Sequence, residues 1–316
     1  METKVKPAAI SLSDAIKYAK LVDLADIIYK QAVKNNDTAT QQNPSLKAYA
    51  NICNDNTYQL LVDKNFLTNY QVLYHVQMIE NRTPVYFGFI AQDNDSKEYV
   101  MAIRGTESAF EDIADNYFVP TPFKEFSSDP SVPSGFYNLY EAGRLVSPSG
   151  SVNKITPVSL PTVAANPVAL MKDAAKVRTV LTGHSLGATL VTYYAAAVTV
   201  GQGKDLNLCL YTYASPMTGD STFTDAVNKG VAESYRVYNK PDVVPTLPIW
   251  IGSNGGNIYT QIAQGFPIDS TNNKNVSTAF GCAHQLPVYQ YLLEKLNGND
   301  NPNIINAAGG SCRRKG

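Results

Sequence analysis

Residues 180–190 read VLTGHSLGATL, an apolar run that ends on a serine, Ser185, held between Gly183 and Gly187. The pattern G-x-S-x-G fixes three positions and arises by chance in roughly one chain in ten of this length. Its surroundings therefore decide its meaning. RTVLTGH (178–184) has the apolar, β-branched content of a buried strand. Residues 187–200 begin with Gly-Ala-Thr and stay mainly apolar, as a helix lying close against a sheet does. Strand, sharp turn and helix together are the setting of a nucleophile elbow, in which a strained turn lifts a serine hydroxyl clear of the sheet. Side chains at Gly183 or Gly187 would clash with neighbouring backbone. The N-terminus of the helix would turn N–H groups and the positive end of its dipole toward a developing oxyanion.

Outward from this turn the chain alternates. LNLCLYTYAS (206–215) and ESYRVYN (233–239) read as further strands, and VYFGFIAQ (85–92) with EYVMAIRGT (98–106) as a hairpin turning through Asn94–Ser96. Helical spacing marks 11–34, with Ser11 or Ser13 as cap, then 187–200, about 221–230, and 286–296. Strand–helix alternation predicts an α/β fold: a central, mainly parallel sheet with helices on both faces. The Pro/Ser-rich stretch 147–167 reads as a surface excursion within one domain spanning 1–316.

Composition narrows the function. Of 316 residues, 26 are basic and 27 acidic, a net charge of −1. Nothing in this balance suggests a polyanion partner, because nucleic-acid binding needs a basic surface. The longest mainly apolar stretch, 187–198, is too short to cross a bilayer. The opening METKVKPAAISLSDAIKYAK has no apolar signal-peptide core, so localisation stays open between an internal protein, a removed leader and another export route. Cys53, Cys209, Cys282 and Cys312 fit no metal spacing, and no cofactor is expected. Cys209, inside LNLCLYTY, reads as a buried free thiol. A pair among the other three would tie distant segments together and imply an oxidising compartment.

A serine nucleophile needs a base, and the chain has three histidines. His184 adjoins Ser185, projects the other way and reads as packing. His75 in VLYHVQM precedes the serine and reads as structural. An elbow of this type places an acid and then a histidine after the serine, which leaves His284 in GCAHQLP. Between them lie Asp205, Asp220, Asp225, Glu233, Asp242 and Asp269. Catalytic acids sit on loops just past strand C-termini. Asp242 follows ESYRVYN directly and is favoured; Asp269 is the runner-up. One oxyanion donor is the N–H of Leu186. The second comes from a loop after an earlier strand, for which Thr106 in Arg104-Gly105-Thr106 is the candidate, against the plainer reading of a turn with a capping threonine. Next, Phe110, Ile113, Ala114 and Tyr117 recur at helical spacing with Glu111, Asp112, Asp115 and Asn116 opposite. A short amphipathic helix there would either cover an apolar site and swing away at a lipid surface, or pack as an ordinary surface helix.

In order and spacing, VMAIRGT, SAFEDIADNYFVP, SGFYNLYE, VLTGHSLGATL, YTYASPMTGDSTF, YNKPDVVPTLP and CAHQLPVYQYL resemble the class 3 lipases, fungal-type triacylglycerol lipases with an α/β-hydrolase fold. The likeness spreads over 98–296; the first 95 residues match in helical character alone. It implies a Ser185–Asp242–His284 triad, an oxyanion hole from Thr106 and Leu186, and a lid over about 107–119 carrying Phe110, Ile113 and Tyr117. It also implies acyl-chain contacts from Val243, Val244 and Leu247. The expected activity is hydrolysis of triacylglycerol or other fatty-acyl esters through an acyl-enzyme, at an oil–water interface. An esterase on soluble esters (feruloyl-type), a phospholipase and a non-catalytic binding protein remain alternatives. The 147–167 insert departs from the compact fungal pattern.

Overall fold

The structure, a computed structural model, describes residues 9–80, 82–106, 118–152, 154–253, 255–279, 281–307 and 311–314. The first helix, Leu12–Lys34, is capped by Ser11, whose hydroxyl accepts from the Asp14 N–H. Its apolar stripe buries Ala15, Ala19, Val22 and Ala25 completely.

Thirteen strands follow among the described residues. In chain order they are β1 (Tyr70–Glu80), β2 (Thr83–Asp93), β3 (Tyr99–Ile103), β4 (Pro120–Pro122), β5 (Ser131–Pro133), β6 (Arg144–Val146), β7 (Val158–Ser159), β8 (Arg178–His184), β9 (Asn207–Tyr213), β10 (Gly219–Asp220), β11 (Glu233–Asn239), β12 (Tyr259–Thr260) and β13 (Gly265–Ile268). Nine make one sheet in the order β13-β11-β9-β8-β3-β2-β1-β6-β7. From β13 to β3 every pairing is parallel; from β3 to β7 every pairing is antiparallel. Tracing these directions, β2 and β6 run against the other seven, so the sheet is mainly parallel with a meander at one side.

Strand residues alternate between two cores, as the twofold period of a strand requires. Val100, Ala102, Val180, Cys209 and Tyr211 face the layer of helices Leu12–Lys34 and Leu286–Leu296. Met101, Ile103, Leu181, Leu208 and Leu210 face the opposite layer, which holds helices Ser134–Ala142, Leu186–Val200 and Ser221–Gly230. Residues 187–198 of the second of these helices are all buried. A helix apolar all round belongs inside a core.

The hairpin, the three parallel strands and the four helices stand where their patterns put them. β1 holds the strand-like run VLYHVQM around His75, and β13 is an addition. So is the second half of the 147–167 stretch. Val152 there is 96% exposed, but β7 pairs with β6 at the sheet edge, and helix Leu160–Ala165 buries Leu160 and Val163 in the second core. No helix among the described residues is long and apolar enough to cross a membrane.

Candidate active site

β8 ends at His184, and the next residue turns with φ 55° and ψ −125°. That residue is Ser185. Positive φ is costly for a residue with a side chain, on the order of 1–3 kcal/mol, and persists where surroundings enforce it. Here the Ser185 N–H donates to the Tyr213 carbonyl at the end of β9 (2.9 Å), and helix Leu186–Val200 starts at once. Both flanking glycines are sterically required. A Cβ on Gly183 would lie 2.5 Å from the Gly187 carbonyl, and one on Gly187 would run into the Ile103 and Arg104 carbonyl oxygens. The elbow is thus wedged between the first helical turn and the end of β3.

His284 lies in a 3-10 turn, Cys282–His284, just before helix Leu286–Leu296. Its Nε2 is 2.9 Å from Ser185 Oγ and its Nδ1 is 2.8 Å from Asp242 Oδ2. A carboxylate oxygen accepts, so Nδ1 carries the proton and Nε2 receives the hydroxyl hydrogen of Ser185. Ser185, His284 and Asp242 are all buried. The structure brings these three sequence candidates together and leaves Asp269 outside: its carboxylate pairs with Lys240 at 3.0 Å and, held by Thr271 hydrogen bonds, titrates at about 2.

Asp242 is held from several sides. Oδ1 accepts from the Val244 N–H (3.0 Å), and Oδ2 also accepts from the Tyr289 hydroxyl (2.7 Å). Burial, then the Asp242 charge, pushes the Tyr289 phenol well above its usual range, so it stays a donor. The same hydroxyl accepts from the Asn239 N–H (3.0 Å). Asn239, the last residue of β11, spreads its buried amide between Ser270 (2.8 and 2.9 Å) and the Ala283 carbonyl (2.9 Å). One side chain therefore joins the strand before Asp242 to the turn bearing His284. Neither Tyr289 nor Asn239 was singled out from sequence; each lies within a few residues of a candidate, but its contact is long-range.

His184 lies beside His284 as well as Ser185. Its Nε2–H donates to the His284 carbonyl at 2.8 Å, and the two rings are 4.8 Å apart. Loss of solvent, then proximity to His284, lowers its pKa to about 3, so it is neutral. His75 is remote, set in the core between Asn43 and Tyr49, and burial lowers it to about 3. A disulfide joins Cys282 to Cys312 and fastens the His284 turn to the segment near 312, where the Ser277 N–H donates to the Cys312 carbonyl. Cys209 and Cys53 are buried free thiols, pushed up to about 12 and about 11 by burial.

Across from the elbow is the loop after β3. A Cβ on Gly105 would come within 3.1 Å of Ser185 Cβ, which shows how closely this backbone approaches the serine. Arg104 is buried; its guanidinium donates to the Tyr86 carbonyl (3.0 Å) and the Gly105 carbonyl (2.7 Å) and stacks on Tyr29 and Phe87. Since C=O and N–H point oppositely across a trans peptide, holding the Gly105 carbonyl turns the Thr106 N–H away from the guanidinium. Thr106 Oγ1 is buried without a hydrogen-bond partner among the described residues. Leu186, at the first helical position, has an N–H with no acceptor inside its helix. Of the apolar candidates, Val243 is 46% exposed, Val244 is buried and Leu247 is half-buried. A cavity of about 270 Å³ at Asp242 and His284 is lined by Val243, Ser270, Thr278 and Ala283 among others. Phe110, Ile113 and Tyr117 lie outside the described residues.

Residues 100–251 match the family model described as Lipase (class 3). A secreted mono- and diacylglycerol lipase A of Penicillium cyclopium is 31% identical over 192 residues, 61% of this chain and 55% of that protein. Phospholipase A1-II 2 of Oryza sativa subsp. indica is 29% identical over 192 residues, 52% of this chain and 46% of that protein. The chain spans about half the length of the curated relatives it matches. Among solved structures, the Rhizomucor miehei lipase propeptide complex superposes with a TM-score of 0.54 at 20% identity, over 83% of this chain and 70% of that one. A triacylglycerol lipase whose catalytic centre is described as a serine protease triad gives 0.56 at 19% identity, over 85% and 83%. At these identities the superpositions establish the α/β-hydrolase-type fold.

Proposed function

We propose that this chain, whose residues 100–251 match the class 3 lipase family model, belongs to that family and hydrolyses fatty-acyl esters of glycerol, with Ser185 as nucleophile. The observation that carries the reading is the unbroken hydrogen-bonded line Ser185–His284–Asp242, closed on a serine at φ 55°. In this mechanism His284 Nε2 takes the Ser185 proton as Oγ attacks the ester carbonyl. Asp242 keeps the imidazole in the tautomer that can accept it and stabilises the imidazolium that forms. The N–H groups of Leu186 and Thr106, with the Thr106 hydroxyl, receive the oxyanion; one such donor is worth about 3 kcal/mol of barrier. The imidazolium protonates the departing alcohol. Water, deprotonated by the same nitrogen, then releases the fatty acid and restores Ser185.

Ser185 is fully buried, yet an ester must reach it. We assign the cover to 107–119 and the acyl contacts to Val243, Val244 and Leu247. The names of the relatives, a mono- and diacylglycerol lipase and a phospholipase A1, support an acyl ester of glycerol, triacylglycerol or phospholipid, over a soluble aromatic ester. The disulfide beside His284 fits work in an oxidising compartment. Labelling with a fluorophosphonate tests the nucleophile: wild type reacts with one equivalent, Ser185→Ala with none. Substrate class is then read from release of fatty acid from triolein, diolein and phosphatidylcholine. A Ser185→Ala protein that still turned over any of them at the wild-type rate would end the proposal.

A further inference from the structure

Segment 243–268, which follows the acid, contains no Asp, Glu, Lys or Arg, although 26 residues at the chain's 17% charged content would carry about four. Within it three consecutive large apolar side chains stand out in solvent: Ile249 at 58%, Trp250 at 39% and Ile251 at 60% exposure. They are held there by backbone. The Ile258 N–H donates to the Trp250 carbonyl (2.9 Å), Ile251 bridges Asn257 antiparallel, and the Gly252 N–H donates to the Gly256 carbonyl (2.8 Å). Asn257 locks the base of this turn, accepting from the Trp250 N–H (2.8 Å) and donating to the Pro248 carbonyl (3.0 Å). A collapsed loop would have folded these side chains inward; this one presents them on a closed hairpin. Two more apolar residues are exposed outside it. Val243 adjoins Asp242, and Val119 follows Phe118, whose carbonyl accepts from Tyr259 at the hairpin's return strand (2.6 Å).

Contiguous exposed apolar side chains mark interaction sites. Tryptophan is the residue that settles at a membrane–water boundary, and a surface without charges enters a lipid layer without desolvating ions. We propose that the 248–258 hairpin docks the protein on an uncharged or zwitterionic lipid surface, with Ile249, Trp250 and Ile251 in the acyl layer. The inference rests on the reading of the site as a glyceride or phospholipid hydrolase, whose entrance this hairpin would hold against its substrate.

Trp250 is the sole tryptophan of the chain, so it reports its own docking. On titration with phosphatidylcholine vesicles its emission shifts to the blue, equally at low salt and at high salt, and brominated acyl chains quench it. Ile249→Ser combined with Ile251→Ser keeps the probe and weakens partition at least tenfold, because burying one isoleucine is itself worth about a tenfold factor or more. The double variant retains its melting temperature and its kcat/KM on water-soluble p-nitrophenyl acetate. An unshifted wild-type spectrum, or a double variant that partitions like wild type, overturns the proposal. So does a blue shift that grows with protein concentration without lipid, together with a dimer in sedimentation, since the occupant is then a second copy. Vesicle binding by a protein that cleaves no ester leaves docking intact and removes the enzymatic reading; cleavage of the soluble ester without vesicle binding does the reverse.

Discussion

Substituting Gly183 by alanine should cripple turnover although every proposed catalytic side chain stays in the sequence. A Cβ at that position lies 2.5 Å from the carbonyl carbon and oxygen of Gly187 and 2.8 Å from the Ala188 nitrogen. Ordinary contact begins at 3.4 Å, so strand end and helix start must part by about 0.9 Å. All three atoms are backbone, and no rotamer change relieves the clash. The turn that has to move carries Ser185 and the Leu186 N–H. Misplacement of about 1 Å costs roughly a hundredfold in rate, or ~2.7 kcal/mol of barrier, and overpacking itself destabilises by ~1–3 kcal/mol. Gly105→Ala is the internal control. Its nearest neighbours, His184 Nδ1 and Ser185 Cβ at 3.1 Å and the His184 carbonyl oxygen at 3.2 Å, need yield only a few tenths of an ångström, so its loss should stay below about tenfold. The assay is kcat per active site on p-nitrophenyl butyrate, with sites counted by fluorophosphonate titration and stability followed by thermal melting. A Gly183→Ala protein within threefold of wild type, melting at the wild-type temperature, would falsify the reasoning.

Other expectations follow from the same geometry. Asp242→Asn should lower kcat by about four orders of magnitude at neutral pH, because an amide in that pocket cannot accept from His284, Tyr289 and Val244 together; a loss under tenfold would move the acid elsewhere. Asp23 is buried in helix Leu12–Lys34 with Oδ2 unpartnered among the described residues, and burial raises its pKa well above the ordinary value. The folded state therefore keeps a proton that the unfolded chain has lost, and stability declines as pH rises from the carboxyl range toward the folded pKa. Asp23→Asn removes that decline, so its melting temperature should exceed wild type at pH 8 and the gap should vanish near pH 3; an equal gap at both would exclude the mechanism. Cys312→Ser opens a closure of 30 residues and should cost about 3.5 kcal/mol in urea unfolding by the chain-entropy estimate; a cost below about 1 kcal/mol would show that the segment is held by its other contacts.

What the sequence disclosed and what it hid divide along range of contact. Gly183, Ser185 and Gly187 announce the elbow because the turn is local and its steric demands fall on adjacent residues. Asp242 reads as the candidate acid by position, since it follows the strand that ends at Asn239, and His284 as the candidate base by elimination among three histidines. Tyr289 stayed hidden because its partner Asp242 is 47 residues away and nothing in QLPVYQYL marks one tyrosine over another. Arg104 reads as an ordinary charged loop residue until its guanidinium is seen on two backbone carbonyls beneath the elbow. β13 escaped because GFPI is a short edge strand containing proline, with no alternation to detect. The cysteine pairing stayed open among three residues for want of any local signal, until folding set Cys282 and Cys312 together.

The two halves of the site are rooted at different depths. The serine stands on a helix buried through twelve successive residues, whereas the histidine stands on a single 3-10 turn held by one disulfide, one asparagine amide and the His184 ring. Segments with few buried contacts open at far smaller free energies than core elements. On warming, the imidazole should therefore drift from the hydroxyl while the sheet is still whole, and inactivation should set in below the melting point and reverse on cooling.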